Sequence, residues 1–115
     1  DMVGHTGNLQ AGIQACEVVD LQVGKIVDAV LKTKATLIIT ADHGNIEEMI
    51  DNETGEIDTA HSTYPVPCIF VAKKLENQAI ELEPGILADL APTMISLLGL
   101  GKPEEMTGRA LIKVE

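Results

Sequence analysis

The chain has 115 residues, of which 45% are hydrophobic and 2% aromatic, and its formal net charge is −10. This length allows about one domain with an aliphatic core, and no apolar run approaches the ~20 residues that a membrane-spanning helix needs. So acidic a chain cannot neutralise many phosphates, which argues against a nucleic-acid partner. Residue 1 is not Met and no signal peptide is recognisable, so we expect a piece of something longer or a trimmed product.

The opening segment places an acid and a histidine, Asp1 and His5, four residues apart, with glycines at Gly4 and Gly7. The glycines favour a loop, in which both side chains can converge on one ion. Without support from elsewhere in the chain, ordinary loop residues are the better interpretation of this spacing.

Residues Leu9 to Lys32 have the apolar spacing of a long helix, with Asn8 as its N-cap. Apolar side chains recur at steps of three and four and predict one stripe that packs on a sheet: Cys16, Val19, Val23, Ile26, Val27 and Val30. Both cysteines, Cys16 and Cys68, lie in apolar contexts, so we expect buried thiols of a reducing compartment and no required disulfide.

A buried strand is predicted over Thr36 to Thr40, and Asp42 and His43 follow it directly. Open α/β sheets place their ligand sites at the carboxyl ends of strands, and Gly44 permits a tight turn there. An adjacent carboxylate and imidazole make a compact pair of ligands for a divalent metal. The alternative is a strand-to-helix loop in which Asp42 is a cap and His43 is exposed.

The segment after this turn is predicted to be a short helical turn over Ile46 to Ile50, followed by an acidic loop from Asp51 to Asp58. The acidic residues lack the spacing and the central glycine of an EF-hand. A solvated loop is therefore the better interpretation.

His61 precedes two prolines and a second buried strand, predicted over Val66 to Ala72. A third histidine beside a strand strengthens the interpretation of a metal site. Ser62 next to His61 suggests a nucleophile and its base, but adjacent side chains on an extended chain point in opposite directions, which makes that pair unsuitable.

The remaining chain predicts an edge strand over Ala79 to Leu82 and a helix between Gly85 and Leu98 whose regular part starts near Ala91. A last strand is predicted over Gly108 to Ile112. Together these elements predict an α/β fold with a mostly parallel sheet, in which the two buried strands are neighbours and the long helix covers one face.

Several motifs occur in an order and with intervening lengths that together resemble one known family. They are Asp1-Met2-Val3-Gly4-His5-Thr6-Gly7, Ala41-Asp42-His43-Gly44-Asn45, Thr59-Ala60-His61, Pro65-Val66-Pro67, Pro92-Thr93-Met94, Leu97-Leu98-Gly99 and Met106-Thr107-Gly108-Arg109. Over essentially its whole length the chain resembles the carboxyl-terminal part of the cofactor-independent (2,3-bisphosphoglycerate-independent) phosphoglycerate mutases, in the alkaline phosphatase superfamily.

The resemblance implies a three-layer αβα fold and two metal sites. Asp1, His5 and His61 match the ligands of one ion, which we call site one, and Asp42 and His43 match two ligands of a second ion, site two. Residues 1–115 would then be the carboxyl-terminal part of the metal-binding phosphatase-like domain. The amino-terminal part, with the nucleophilic serine and the other site-two ligands, and the inserted substrate domain would lie outside this chain.

The implied activity of the parent protein is the interconversion of 3-phosphoglycerate and 2-phosphoglycerate in glycolysis, through a phosphoserine intermediate, in the cytoplasm. The implied cofactors are two divalent metal ions, usually manganese, and mixed carboxylate and imidazole ligands suit Mn²⁺ or Zn²⁺ better than Ca²⁺ or Mg²⁺. No catalytic nucleophile is matched in this chain, so the chain alone is expected to be inactive. Its partners would be the missing amino-terminal part and a phosphoglycerate.

Two alternatives stay open at this point. One is a non-catalytic metal-binding or interaction domain that carries the ligands without the reaction. The other is a different phosphotransferase or hydrolase of the alkaline phosphatase superfamily, which the specific opening motif at Asp1 to Gly7 makes less suitable.

Overall fold

The computed structural model describes residues 1–77 and 82–112, and the chain divides into two compact units, Asp1–Asn77 and Gln78–Glu115. The first unit contains helix α1 (Leu9–Leu31), strands β1 (Thr36–Thr40) and β2 (Cys68–Ala72), and short 3₁₀ turns at Gly4–Thr6, Ile46–Glu48 and Lys73–Leu75. The second unit contains a 3₁₀ turn at Leu87–Asp89 and helix α2 (Leu90–Leu97). Within the described ranges, no helix combines the length and hydropathy needed to cross a bilayer.

Helix α1 begins and ends within one residue of the predicted bounds. The Asn8 side chain caps its start, because Oδ1 accepts a hydrogen bond from the Ala11 amide at 3.0 Å. The helix packs against both strands, and its buried Gly12 lies against Met49, a side chain that is only 2% exposed. The small residue at position 12 therefore lets the helix approach the segment that follows the Asp42-His43 turn.

The predicted apolar stripe of α1 is only partly covered. Val23, Val27 and Val30 are half-buried, whereas Val19 and Ile26 are 60% and 52% exposed. Cys16 is also exposed, and Cys68 is half-buried, so the prediction of two buried thiols is wrong. The physical reason is width: the sheet described beneath the helix has two strands, and it covers a narrower face than the sequence stripe spans.

Strands β1 and β2 are neighbours, as predicted, but they pair antiparallel, with Thr36 opposite Ala72 and Thr40 opposite Cys68. The expectation of a parallel arrangement is wrong for this pair. A parallel partner requires a crossover connection, usually a helix, whereas the segment between these strands contains a short 3₁₀ turn and loops. The antiparallel pairing brings the end of β1, which leads to His43, beside the start of β2, which follows His61.

The acidic loop closes on itself through its own side chains. Asp51 Oδ1 accepts hydrogen bonds from the amides of Glu53 at 2.8 Å and Thr54 at 2.7 Å, and the Gly55 amide donates to the Asp51 carbonyl at 2.8 Å. Gly55 adopts a positive φ of 71°, which a glycine accommodates without strain. The prediction of a solvated, turn-rich loop is confirmed.

The second unit is organised by two buried polar side chains on or beside α2. Asp89 precedes the helix and accepts from the Arg109 amide at 2.8 Å, and Thr93 Oγ1 accepts from the Leu111 amide at 2.9 Å. The predicted last strand over Gly108 to Ile112 is wrong, because two of its amides donate to these side chains instead of to a neighbouring strand. The predicted edge strand at Ala79 to Leu82 falls on residues outside the described part, except for its last residue.

Candidate metal centre

Three side chains from two distant segments meet at one point of the first unit. His5 Nε2 and His61 Nε2 each lie 3.2 Å from Asp1 Oδ1, and the two Nε2 atoms lie 3.2 Å from each other. One possible ligand atom from each of the three residues therefore falls within 4.8 Å of the other two. These are the residues assigned to site one from the sequence, and the structure brings them together.

The turn at the start of the chain aligns Asp1 with His5. The His5 amide donates to the Asp1 carbonyl at 3.1 Å, and Thr6 Oγ1 donates to the Val3 carbonyl at 2.6 Å. Gly7 ends the 3₁₀ turn with a φ of 65°, a conformation that favours glycine. An acid and a histidine four residues apart thereby point to the same side.

Backbone carbonyls fix the tautomers of two histidines. His5 Nδ1 lies 2.6 Å from the Thr59 carbonyl oxygen, and His43 Nδ1 lies 3.1 Å from the Gly44 carbonyl oxygen. Because a carbonyl oxygen only accepts, each Nδ1 carries the proton and donates it, and each Nε2 keeps a free lone pair. Metal-ligating histidines are oriented in this way by a second hydrogen bond.

His61 is placed against His43, and its ring carries a depressed pKa. The two rings stack with centroids 3.6 Å apart and planes 18° apart. Partial desolvation, followed by the nearby His43 and His5, lowers the pKa of His61 below its usual value, while Asp42 opposes the shift. The neutral imidazole is the form that binds a metal, so the surroundings favour the ligand form.

The two residues assigned to site two lie immediately beside site one. His43 Nε2 is 3.7 Å from Asp42 Oδ1 and 3.8 Å from Asp1 Oδ1. The Asp42 side chain is 88% exposed, whereas that of His43 is 30% exposed. In the described residues this pair gathers no third ligand of its own.

Comparison with known proteins agrees with this donor set. Residues 1–102 match the sequence profile of the metalloenzyme superfamily. The chain belongs to that superfamily.

Two curated relatives carry the same name. The chain is 53% identical over 113 residues to the 2,3-bisphosphoglycerate-independent phosphoglycerate mutase of Pseudomonas fluorescens, a match that covers 97% of this chain and 21% of that protein. The corresponding protein of Clostridium acetobutylicum is 54% identical over 113 residues, covering 98% and 22%. The chain thus spans about a fifth of the length of the curated relatives it matches, and the resemblance predicted from its motifs is confirmed.

A solved structure extends the similarity to the fold. The chain superposes on Leishmania mexicana phosphoglycerate mutase, determined at low cobalt concentration, with a TM-score of 0.82 and 35% identity over 100% of this chain and 23% of that one. The alkaline-phosphatase-like α/β fold expected from the resemblance is thereby confirmed for this chain.

Asn45 and Glu47, next to the Asp42-His43 turn, connect that turn to the segment carrying His61, and the sequence patterns gave neither a role. Glu47 accepts a hydrogen bond from the Asn45 amide at 2.9 Å and another from the Ser62 hydroxyl. The bond from Ser62, more than the others, lowers the pKa of Glu47. A Glu two residues after Asn45 at the start of a helical turn is the only local signal. Ser62 is thus engaged as a donor to a carboxylate, which agrees with setting it aside as a nucleophile.

The donors of site one suit a divalent transition ion. One carboxylate and two imidazoles combine a hard oxygen ligand with two nitrogen ligands, a set that fits ions such as Mn²⁺, Co²⁺ and Zn²⁺. Their side chains are 41% to 56% exposed, so an ion has access from solvent. The residues present therefore fit the metal that the superfamily's name implies.

Proposed function

We propose that this chain is the metal-binding, carboxyl-terminal segment of a 2,3-bisphosphoglycerate-independent phosphoglycerate mutase. The observation that carries the proposal is the convergence of Asp1, His5 and His61 on one point. The similarity to mutases over 97% to 100% of the chain supports the reaction class. The parent enzyme would interconvert 3-phosphoglycerate and 2-phosphoglycerate in glycolysis.

The ligands divide between two divalent ions, which we propose are manganese. Asp1, His5 and His61 hold the first ion, and Asp42 and His43 contribute to the second. When bound, two such ions supply the positive charge that stabilises the oxygens of a phosphoryl group during transfer. The short distance between His43 Nε2 and Asp1 Oδ1, 3.8 Å, supports two sites that lie side by side.

The proposed role of this chain's own residues is to bind the ions and to orient the histidine side chains. The Thr59 and Gly44 carbonyls hold the protons of His5 and His43 at Nδ1, so that both Nε2 atoms would be available to bind an ion. The Asp1 carboxylate supplies negative charge between the three imidazoles. We propose that the attacking hydroxyl comes from outside the chain, because no hydroxyl of this chain matches the nucleophilic serine of the family. Ser62, next to a site-one residue, donates a hydrogen bond to Glu47.

The rest of the polypeptide is the proposed partner, with its nucleophile and its substrate domain. The chain spans only 21% of the length of a relative such as the Pseudomonas fluorescens protein. Apolar side chains on α1, including Val18 and Leu21, are 59% and 61% exposed, as expected for a surface that another segment covers. We also propose a cytoplasmic location, which the two free thiols Cys16 and Cys68 support.

The metal site is tested by titrating the 115-residue chain with Mn²⁺ and recording the heat of binding. We expect the wild-type chain to bind an ion at site one. His61→Ala should weaken binding by more than the about 10- to 100-fold that follows loss of an outer-shell partner, because it removes a ligand itself. The control is Asp28→Ala, which removes an exposed carboxylate on α1 and should leave the affinity unchanged. Equal affinities for wild type and His61→Ala would contradict the assignment.

A further inference from the structure

Asn45 is a buried polar residue that contacts the segments carrying the site-one ligands. It is 6% exposed and lies two residues after His43. Its Nδ2 donates to the Ala60 carbonyl at 2.9 Å, immediately before His61. Because a carbonyl only accepts, this contact also decides which way the amide faces.

The other face of the amide lies against the opening turn. A Cβ placed on residue 4 would fall 1.6 Å from Asn45 Oδ1, so the glycine at that position is what lets the two segments approach this closely. Gly4 lies between Asp1 and His5, the other two ligands of site one. A single side chain thus contacts the residue before one ligand and the turn that carries the other two.

The backbone of the same residue secures the other side of His61. The Asn45 amide donates to Glu47 at 2.9 Å, and Glu47 in turn accepts from the Ser62 hydroxyl. Ala60 and Ser62, the two neighbours of His61, are therefore both tied to the segment that begins at Asn45.

Packing alone does not account for an amide at this position. Asn45 Oδ1 is buried and has no hydrogen-bond partner among the described residues. An unsatisfied buried acceptor lowers the stability of the folded state, and an apolar side chain of similar shape would avoid that cost. The donor at Nδ2 and the fit against Gly4 are what the amide provides.

We propose that Asn45 is a positioning residue that sets the separation between the Asp1-His5 turn and His61, and thereby the affinity of site one for its metal ion. This inference rests on the proposed metal site. It assigns Asn45 no contact with the ion. Asn45 acts through Ala60 and Gly4, in the manner of the outer-shell partners that orient metal ligands.

The first test uses Co²⁺ as the probe, added to the metal-free 115-residue chain at one pH above the usual pKa of histidine. Visible absorption reports coordination, and calorimetry reports affinity. We expect Asn45→Leu, which keeps the size and removes the donor, to bind Co²⁺ about 10- to 100-fold more weakly than wild type. The matched control is Asn52→Leu at an exposed position of the acidic loop, which should bind like wild type.

The second test asks whether the Gly4 contact transmits the effect. Gly4→Ala should weaken Co²⁺ binding, because its new methyl group displaces the Asn45 side chain. In an Asn45→Ala background the obstructing atoms are gone, so adding Gly4→Ala should cost little more. This non-additivity is the signature of two residues in direct contact, and a residue that served stability alone would not produce it in metal affinity.

The outcomes separate the inference from the proposed function. If the wild-type chain binds no Co²⁺, the metal site itself fails. If wild type binds and Asn45→Leu binds equally well, the positioning role fails and the site stands. A variant whose metal-free far-ultraviolet circular dichroism and thermal unfolding differ from those of a folded wild type would assign Asn45 to folding, which also overturns the inference. Equal effects of Gly4→Ala in both backgrounds would overturn the proposed link through Gly4.

Discussion

The main chain, rather than other side chains, orients one histidine of site one, His5, and the histidine of site two, His43. The Nδ1 atoms of His5 and His43 each donate to a backbone carbonyl, at 2.6 Å and 3.1 Å. A carbonyl is present whatever residue carries it, so these two orientations depend on the path of the loops. The position of the loops therefore determines the orientation of these two side chains. A residue such as Asn45, which connects two loops, is expected to affect that orientation.

In the second unit, backbone amides likewise hold the buried carboxylate of Asp89, and this arrangement permits a test by pH. Asp89 is 4% exposed and accepts from the amides of Ile86 at 2.9 Å and Arg109 at 2.8 Å. These bonds, with that from Ile86 first, lower the pKa of Asp89 below its usual value of 3.8. The folded state therefore prefers the carboxylate, so its contribution to stability is fully present above pH 3.8 and is lost as pH falls through the lower folded pKa.

The measurement compares urea unfolding of wild type and Asp89→Asn over a series of pH values. We expect the difference in unfolding free energy to be constant above the usual pKa and to shrink as pH falls below it. Glu105→Gln, at an exposed position of the same unit, is the control and should show no such dependence. A difference between wild type and Asp89→Asn that does not change with pH would contradict this account.

At the scale of elements, local sequence patterns predicted the positions of helices and strands. The bounds of α1, the position of β1 and the start of α2 follow from caps and apolar periodicity. Strand direction does not, because it depends on whether the intervening segment forms a crossover, and the apolar run of β2 reads the same in either direction. The last predicted strand was wrong for a related reason: its amides found the side chains of Asp89 and Thr93, partners that are distant in sequence.

In the candidate site, too, some residues were predicted from the sequence and others were found only in the structure. The ligands of site one were predicted from motif resemblance, because Asp and His are recognisable types of metal ligand. Asn45 and Glu47 were not given roles, because their partners, Ala60 and Ser62, are 15 residues away and no local pattern announces such contacts. The motifs thus identified the possible ligands, and the structure was needed to find what positions them.

Two glycines of α1 provide a matched test of how this helix packs. A Cβ at Gly12 would lie 3.0 Å from Met49 Sδ and 3.3 Å from Ile46 Cδ1, whereas one at Gly24 would meet nothing within 4 Å. We expect Gly12→Val to destabilise the chain by about 1–3 kcal/mol through overpacking. Gly24→Val should be neutral or slightly stabilising, because valine is the better helix former. Thermal unfolding of both variants checks this, and equal effects would show that α1 does not pack closely at Gly12.

At the scale of the whole molecule, the first unit presents more apolar surface than its own elements cover. Val18, Val19, Leu21 and Ile26 on α1 are each more than half exposed. Exposed apolar side chains on one helix are expected where another segment covers it, and the chain spans only about a fifth of the relatives it matches. Covering this face and completing site two are therefore two aspects of the same proposed assembly with the rest of the polypeptide.

This assembly predicts that the 115-residue chain alone is catalytically silent, whereas the longer polypeptide is a mutase. The three proposed ligands of site one lie within reach of one another, so we expect the chain to bind an ion there. The chain contributes only Asp42 and His43 to the proposed site two. None of its hydroxyls matches the nucleophilic serine of the family, and the Ser62 hydroxyl donates to Glu47. Loss of a nucleophile removes the covalent route and typically costs several orders of magnitude in rate.

The assay supplies Mn²⁺ and 3-phosphoglycerate and couples the formation of 2-phosphoglycerate to its removal, with the chain and the longer polypeptide side by side. We expect metal-dependent turnover by the longer polypeptide and none by the chain, even where calorimetry shows that the chain has bound Mn²⁺. That combination would separate binding, which the residues of site one perform, from the reaction, which needs a hydroxyl positioned beside both ions. Turnover by the chain at a rate near that of the longer polypeptide would contradict the prediction and return Ser62 to consideration. Metal binding without turnover in either protein would instead favour a non-catalytic metal-binding domain.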